Sequence, residues 1–257
     1  MLPLPPVPPA VGWRRSTRLP RDFYVRLDSN DYSVHPSVIG RRIELVADLD
    51  RVRVFCEGRI RSARFPARKS LEEFDFEYAR GLKRDVIAHL GTLDFITAKE
   101  NAIFLGPPGT GKTMLAIGLG IRACQAGHRV LFATASQWVD RLATAHRAGR
   151  LQDELNRLGR YPCLIVDEVG YIPFEPEAAN LFFQLVSSRY ERASLIVTSN
   201  KVFGRWGEVF GGDDVVAGAM IDRLVHHAEV ISLKGDSFRL RNRDLGRVPA
   251  PRATGEE

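Results

Sequence analysis

The chain has 257 residues, of which 44% are hydrophobic and 26% charged, and this balance excludes a disordered chain and is typical of a soluble protein. The net charge is +6 and nearly all of the 37 cationic residues are arginine, which favours nucleic-acid partners, although arginine bias also arises from genome composition. The three cysteines form no C-x-x-C pair or Cys/His cluster, so the sequence argues against a zinc site and indicates a reducing compartment.

The N-terminal end is proline-rich and then basic. It lacks the charged n-region and unbroken apolar core of a signal peptide, and no apolar run of the chain approaches bilayer length. These features predict a cytoplasmic protein with no membrane partner. Repeated proline favours an extended backbone, so residues 1–20 are predicted to form a flexible leader.

Residues 21–60 are predicted to form a small β domain. Segments 23–27 and 32–34 have strand composition and are separated by a turn cluster at 28–31. Segments 43–46 and 52–55 are predicted to pair as a hairpin. Because about forty residues bury little apolar area, such a unit is marginal on its own.

Residues 61–95 are predicted to form a basic linker and a helix. The linker is rich in arginine, and Ser70 with Glu73 fits a capping box that opens a short helix. Apolar residues at positions 82, 86, 90 and 93 then predict a helix over 82–95.

Residues 96–247 alternate between strand and helix patterns. Five short apolar runs, at 102–105, 130–133, 163–166, 195–198 and 230–233, are typical of strands buried on both faces. The clearest helical pattern lies between them at 178–189. This alternation predicts an α/β fold with a parallel five-stranded sheet between helices. Residues 248–257 are predicted to be a disordered tail.

A phosphate-binding loop follows the first of these strands. It fits G-x-x-x-x-G-K-[ST] and is followed by a helical pattern that opens at Met114. Its residues are Gly106, Pro107, Pro108, Gly109, Thr110, Gly111, Lys112 and Thr113, and Met114 completes the predicted nucleotide-binding set. Backbone N–H groups of such a loop surround phosphates, Lys112 reaches the β/γ-phosphates, and the Thr113 hydroxyl binds Mg²⁺. The sequence therefore predicts ATP and Mg²⁺ as cofactors.

Polar residues end two later strands. Asp167 and Glu168 follow the third apolar run, where Asp167 is suited to hold Mg²⁺ and Glu168 to accept a proton from an attacking water. This pair favours ATP hydrolysis over phosphoryl transfer to a metabolite. Asn200 follows the next run and is predicted to bind the attacking water or the γ-phosphate, the alternative being a polar turn.

From residue 61 to residue 246 the chain closely resembles the IstB-type AAA+ helper ATPases of insertion-sequence transposition, which are related to the helicase loader DnaC and the initiator DnaA. The resemblance lies in the strings RFPARK (64–69), EFDF (73–76), GYIP (170–173), FGRWGEVFG (203–211) and GDSFR (235–239). It implies an AAA+ P-loop core and a homo-oligomer with ATP at subunit interfaces. It also implies Asn200 as sensor I, Arg223 as an arginine finger acting on a neighbour's ATP, and Arg239 as sensor II.

A region between residues 136 and 160 corresponds to an extra helix that faces nucleic acid in DnaA-like proteins. Its arginines are Arg141, Arg147, Arg150 and Arg157. They are interpreted either as contacts to the phosphate backbone of duplex DNA or as a solvated basic face.

Residues 21–60 resemble the C-terminal β-domain of IstA-type transposases, through YVR (24–26), DYSVHP (31–36), IGRR (39–42) and ADLDRV (47–52). The transposase catalytic domain is not in this chain. The resemblance implies that the transposase of the same element is a partner, and an in-frame deletion joining the two genes is the simplest hypothesis. The open alternatives are a DnaC-like helicase loader and a truncated fusion that binds ATP without productive turnover.

Overall fold

The computed structural model describes residues 13–22, 24–27, 30–33, 42–47, 52–55, 57–79, 82–235 and 237–238. The predicted sensor residue Arg239, the first twelve residues and the tail at 248–257 lie outside the described residues. Among the helices that the structure describes, none is both long and apolar enough to span a bilayer.

Five short antiparallel strands lie among the described residues of the N-terminal part. β1 (Trp13–Arg18) pairs with β4 (Arg42–Ala47), β4 also pairs with β5 (Val52–Phe55), and β2 (Tyr24–Leu27) pairs with β3 (Asn30–Ser33). Among the side chains that the structure describes, Leu19, Val25, Ile43 and Leu45 form a buried apolar cluster in this part. The predicted hairpin of segments 43–46 and 52–55 is therefore confirmed.

Two local predictions for this part were wrong. β1 lies inside the predicted flexible leader, because its six residues find their pairing partner about thirty residues later in β4, which no local pattern reveals. β3 begins at Asn30, inside the predicted turn cluster, and Leu27 pairs directly with Asn30.

A helix links the β strands to the rest of the chain. α1 (Glu57–Ser62) packs against β4 and also against the helix Lys112–Gln125 and the strand Val130–Thr134 of the α/β part. The backbone N–H of Phe132 donates to the carbonyl of Ala63 at 2.9 Å, and the Arg59 guanidinium donates to the carbonyl of Gly127. The segment after the β strands is thus hydrogen-bonded to an outer strand of the larger sheet. It covers part of that strand's free edge, which would otherwise be open to pairing with another chain.

The predicted helix over 82–95 is two helices. α2 (Arg84–Leu90) ends at Gly91, and α3 (Asp94–Ala98) begins after Leu93, whose φ of 71° is left-handed. The Thr92 hydroxyl donates to Asp94 at 2.8 Å within this break. Leu90 and Leu93 are nevertheless buried, so the apolar stripe marks a core face and not one continuous helix. The short helix predicted from Ser70 is absent as well, since residues 71–73 form a bend and a turn.

Five parallel strands form the central sheet in the order β10-β6-β9-β8-β7. In chain order its elements are β6 (Asn101–Leu105), α4 (Lys112–Gln125), β7 (Val130–Thr134), α5 (Ala135–Arg147), α6 (Leu151–Leu158), β8 (Cys163–Val169), α7 (Pro176–Arg189), β9 (Ser194–Ser199), α8 (Asp214–Val225) and β10 (Ala228–Ser232). The predicted α/β fold with a five-stranded parallel sheet is confirmed.

The sheet has an apolar cluster on each face. Alternate residues of β6 point to opposite faces, with Ile103 in the cluster under α5–α8 and Phe104 in the cluster under α2–α4. Because the strands are parallel, the carboxyl ends of β6, β8 and β9 lie side by side at one edge, where ligands bind in open α/β sheets.

Candidate nucleotide-binding site

The phosphate loop connects β6 to α4 at that edge. Gly111 has a φ of 96°, and a Cβ there would lie 2.6 Å from the ring of Phe74. A Cβ on Gly106 would lie 2.4 Å from the carbonyl oxygen of Leu233. The loop therefore needs glycine for both its backbone conformation and its packing.

Lys112 lies in the concave side of the loop. Its side chain is buried, and Nζ donates to the carbonyl oxygens of Gly106 and Pro107, each at 2.7 Å. An ammonium group held over the amino end of a fourteen-residue helix creates a positive environment for an anion.

Asp167 lies beside the first turn of α4. Its Oδ1 accepts hydrogen bonds from the Thr113 hydroxyl at 3.0 Å and the Thr198 hydroxyl at 2.5 Å. Only 3% of Asp167 is exposed. A carboxylate and a hydroxyl separated by 54 residues in sequence thus meet as the oxygen ligands that Mg²⁺ prefers.

Glu168 is turned out of the sheet next to this pair. Its φ of 63° is left-handed, a strained conformation for a residue with a side chain, and the β8–β9 register shifts between Val166 and Val169. As a result Asp167 is buried while Glu168 is exposed. One carboxylate faces the threonines and the other faces solvent at the carboxyl edge.

Thr198 holds both acidic residues, and sequence reasoning assigned it no role. It is buried in β9, its hydroxyl donates to Asp167, and the same oxygen accepts the backbone N–H of Glu168 at 3.0 Å. In the sequence, the signal for such a role is that Thr198 is a hydroxyl residue at the end of an apolar run. That β9 lies next to β8 was not evident from sequence.

We expect Thr198→Val to lower ATP turnover by about tenfold to a hundredfold, because the isosteric change releases Asp167 and leaves the N–H of Glu168 without its acceptor. Thr198→Ser keeps the hydroxyl and is expected to restore most of the loss. Steady-state phosphate release across a Mg²⁺ titration measures the effect, with thermal unfolding as the folding check. Wild-type turnover in a folded Val variant would contradict the positioning role.

Asn200 follows β9 and lies close to the segment after Glu168. Its Oδ1 is buried and has no hydrogen-bond partner within the described part of the chain. The same oxygen is 3.5 Å from where a Cβ on Gly170 would lie. A buried acceptor of this kind requires an explanation, and a bound water or ligand supplies one.

The string FGRWGEVFG (203–211) forms a compact loop that packs next to the residues flanking Asn200. Trp206 is fully buried, and its indole N–H donates to the carbonyl of Lys201 at 3.2 Å. The Ser199 hydroxyl contacts the carbonyls of Val169 at 2.8 Å and Lys201 at 3.0 Å. These contacts fix the chain on both sides of Asn200.

A cavity of about 510 Å³ lies beside the loop. Gly109–Met114 form one wall, and part of the predicted basic linker forms the other, including Phe74 and Tyr78. Phe238 closes it, since its N–H donates to Gly109 at 3.0 Å and its ring packs edge-on against Tyr78 at 5.2 Å. An aromatic cavity that adjoins a phosphate loop has room for a base and ribose. Sequence reasoning assigned no ligand role to this segment.

Residues 38–246 match the family model described as IstB-like ATP binding protein. The chain belongs to this family. Residues 4–68 also match the model of the Mu transposase C-terminal domain. Among relatives, the ATP-binding protein of insertion sequence IS21 from Pseudomonas aeruginosa is 48% identical over 187 residues, covering 73% of this chain and 70% of the relative. That of IS5376 from Geobacillus stearothermophilus is 45% identical over 186 residues, covering 72% and 74%.

Solved structures of AAA+ proteins share the fold of this IstB-like chain. AMPPCP-bound DnaA from Aquifex aeolicus superposes with a TM-score of 0.55 at 18% identity, covering 67% of this chain and 52% of DnaA. The DnaC helicase loader gives a TM-score of 0.51 at 18% identity, covering 64% of this chain and 96% of that chain. The matched part of the chain therefore covers about half of the DnaA chain and nearly all of the DnaC chain. The predicted AAA+ P-loop fold is confirmed.

Arg223 of this IstB-like chain lies away from the phosphate loop. The Asn101 side chain donates to the carbonyl of Leu224 at 2.9 Å, which places the end of α8 at the start of β6. The loop lies beyond the other end of β6, about 16 Å away at 3.3 Å per residue. The Arg223 guanidinium packs over the ring of Phe183 at 4.7 Å and donates to the Ala219 carbonyl. Arg223 does not line the cavity of its own subunit.

The four arginines predicted to contact DNA are in two different environments. Arg141 and Arg157 both donate to Glu154, at 2.5 Å and 2.8–2.9 Å. Burial acts to raise the pKa of Glu154, but the hydrogen bonds from these arginines outweigh it and lower that pKa. Arg147 and Arg150 are exposed around the break between α5 and α6. Two of the four charges are thus already paired within the chain.

Proposed function

We propose that this protein binds ATP with Mg²⁺, hydrolyses it in an assembly of several copies on duplex DNA, and serves the transposition of an insertion sequence together with its transposase. The observation that carries the proposal is the cluster of Thr113, Asp167 and Glu168 beside a complete phosphate loop. Family membership supports ATP binding, and the relatives are ATP-binding proteins of insertion sequences.

In the proposed complex the triphosphate lies in the loop, with the ammonium of Lys112 between its oxygens in place of the loop carbonyls. The base and ribose occupy the aromatic cavity, against Phe74 and Tyr78. Thr113 and Asp167 hold Mg²⁺, which when bound neutralises the charge on the β- and γ-phosphates. The buried hydroxyl–carboxylate pair fits this ion because both groups offer oxygen at the edge of the loop.

For hydrolysis, Glu168 accepts the proton of the attacking water, and Asn200 orients that water or the γ-phosphate. The exposure of Glu168 beside a buried Asp167 separates the two roles. Arg239 is assigned to the γ-phosphate of its own subunit through the family resemblance. Arg223 is assigned to the ATP of a neighbouring subunit, which its position at the far end of the sheet supports.

The transposition role is favoured over helicase loading by the N-terminal match. The DnaC structure covers 64% of this chain, and residues 4–68 match a transposase domain in addition. Transposition and helicase loading both involve ATP-dependent assembly, and they differ in the partner that the assembly recruits. A pull-down with the transposase of the same element, compared with a replicative helicase, separates them. Retention of the helicase alone would overturn the assignment to transposition.

The proposed DNA contact is concentrated on Arg147 and Arg150. We expect the double variant Arg147→Ala/Arg150→Ala to weaken binding to random duplex DNA and to reduce the slope of log K against log[salt] by about 2 per subunit. Lys83→Ala, which removes an exposed charge under the opposite face of the sheet, is the control. Fluorescence anisotropy from low to moderate salt measures both. An unchanged slope in the double variant would place the DNA elsewhere.

The assembly itself is tested by sizing the protein with ATP and duplex DNA and by measuring turnover under the same conditions. The proposal expects larger species and faster turnover when both ligands are present. A monomer that binds ATP and does not turn it over under any of these conditions would favour the truncated fusion.

A further inference from the structure

Three exposed side chains meet at the end of the sheet opposite the phosphate loop. Glu191 lies in the turn between α7 and β9, and His226 and His227 lie in the turn between α8 and β10. One carboxylate oxygen and one ring nitrogen from each histidine lie within 4.8 Å of one another. Nε2 of His227 is 3.8 Å from Oε1 of Glu191. About 35 residues of sequence separate the two turns, so only the tertiary fold brings this set together.

The turn that carries Glu191 is fixed by a buried arginine. Arg189 is 2% exposed and donates to the carbonyls of Leu158, Tyr161 and Ser194 at 2.9–3.2 Å. Its own carbonyl accepts the N–H groups of the two residues that follow Glu191, at 2.9 and 3.0 Å. Glu191 is thereby held at a left-handed φ of 57°.

The turn that carries the two histidines is fixed by Asn101. The backbone N–H of Asn101 donates to the carbonyl of His227 at 2.8 Å, and its side chain donates to the carbonyl of Leu224. Both turns are therefore tied to the rigid base of the sheet. Ligands on such a support lose little backbone freedom when they bind an ion.

Tyr190 orients one of the rings. Its hydroxyl is 3.0 Å from Nδ1 of His226, and the rings of His226 and His227 pack edge-on at 4.3 Å. A hydrogen bond to one ring nitrogen turns the other toward a metal. The carboxylates of Glu191 and Asp222 near this cluster favour a bound cation, and the Arg223 guanidinium is the charge that opposes it.

We propose that Glu191, His226 and His227 bind a divalent transition-metal ion of the zinc class, with water as the fourth ligand. Two imidazoles and one carboxylate are a ligand set that zinc accepts, and the nitrogens disfavour Mg²⁺ and Ca²⁺. Tetrahedral ligand atoms at 2.0–2.1 Å from zinc are about 3.4 Å apart. The three side chains are exposed and reach this spacing by rotamer adjustment. The sequence argued against a zinc site because it contains no Cys/His cluster. That prediction could not include these three residues, because they come from two turns that are distant in sequence.

The site is distinct from the nucleotide site and lies near Arg223, which is in the last turn of α8 and precedes His226 by three residues. A bound ion would join the ends of α7 and α8, the two helices whose Phe183 and Arg223 are in contact. Its binding is measured without nucleotide, so failure of this proposal leaves the proposed ATPase function untouched.

The test is calorimetric titration of tag-free, nucleotide-free protein with Zn²⁺, repeated with Co²⁺ to record the absorption bands of a tetrahedral site. We expect one equivalent to bind and to raise the melting temperature. His227→Ala and Glu191→Gln are each expected to weaken binding more than tenfold, and Tyr190→Phe by about tenfold as an orienting residue. His146→Ala removes an exposed histidine on α5 and is the matched control.

Equal zinc affinity in wild type, His227→Ala and Glu191→Gln would overturn the proposal, as would loss of the bound equivalent in His146→Ala. Melting temperatures measured without metal confirm that the variants are folded. Because the substituted side chains are on the surface, we expect these values to stay near the wild-type value.

Discussion

Glu168→Gln is expected to lower ATP turnover by about 10²- to 10⁴-fold while ATP still binds. The amide has nearly the shape of the carboxylate but cannot accept the proton of the attacking water. Lys112, Thr113 and Asp167 are untouched, so the contacts proposed for the triphosphate and Mg²⁺ remain. Phosphate release under saturating ATP measures turnover, and a fluorescent nucleotide measures binding.

Glu175→Gln provides the matched control for this experiment. Glu175 is exposed, follows the same strand and precedes α7 without a side-chain capping bond. Its amide variant is expected to retain wild-type turnover. A Glu168→Gln protein with turnover within about twofold of wild type would remove Glu168 from the proposed chemistry.

Arg223→Ala is expected to lower turnover by about 10³- to 10⁵-fold, which is the usual effect of an arginine finger. Arg223 stands a strand length from the loop of its own subunit, and the proposed assembly places its guanidinium at the ATP of a neighbour. ATP binding to the isolated subunit is therefore expected to be unchanged. Arg192→Ala, which removes an exposed arginine at the same end of the sheet, is the control.

A mixing experiment distinguishes action on a neighbour from action within one subunit. The Arg223→Ala subunit keeps an intact ATP site, and the Glu168→Gln subunit keeps an intact finger. Each variant is inactive alone, but in mixed assemblies the finger of the second completes the site of the first. We expect turnover to appear on mixing, and mixtures as inactive as their components would contradict the assignment in trans.

The core of the fold was predictable because its signals are local. Strands buried on both faces need continuous apolar runs, and all five predicted runs overlap the observed strands. The failures arose where pairing or chain breaks depend on distant residues. β1 needs β4 as its partner, and the apolar stripe at 82–93 continues across a left-handed Leu93 because both helices bury the same face.

The sequence by itself determined the family, the parallel sheet and the phosphate loop, since a loop of this kind is encoded in eight consecutive residues. It also placed an acidic pair and Asn200 at strand ends. Only the tertiary structure brought Thr198 onto both acidic residues, made the linker a cavity wall and set Arg223 at the opposite end of the sheet. It also paired two predicted DNA contacts with Glu154 and brought Glu191 beside His226. These relations depend on strand order and helix packing, which join residues tens of positions apart and leave no local pattern.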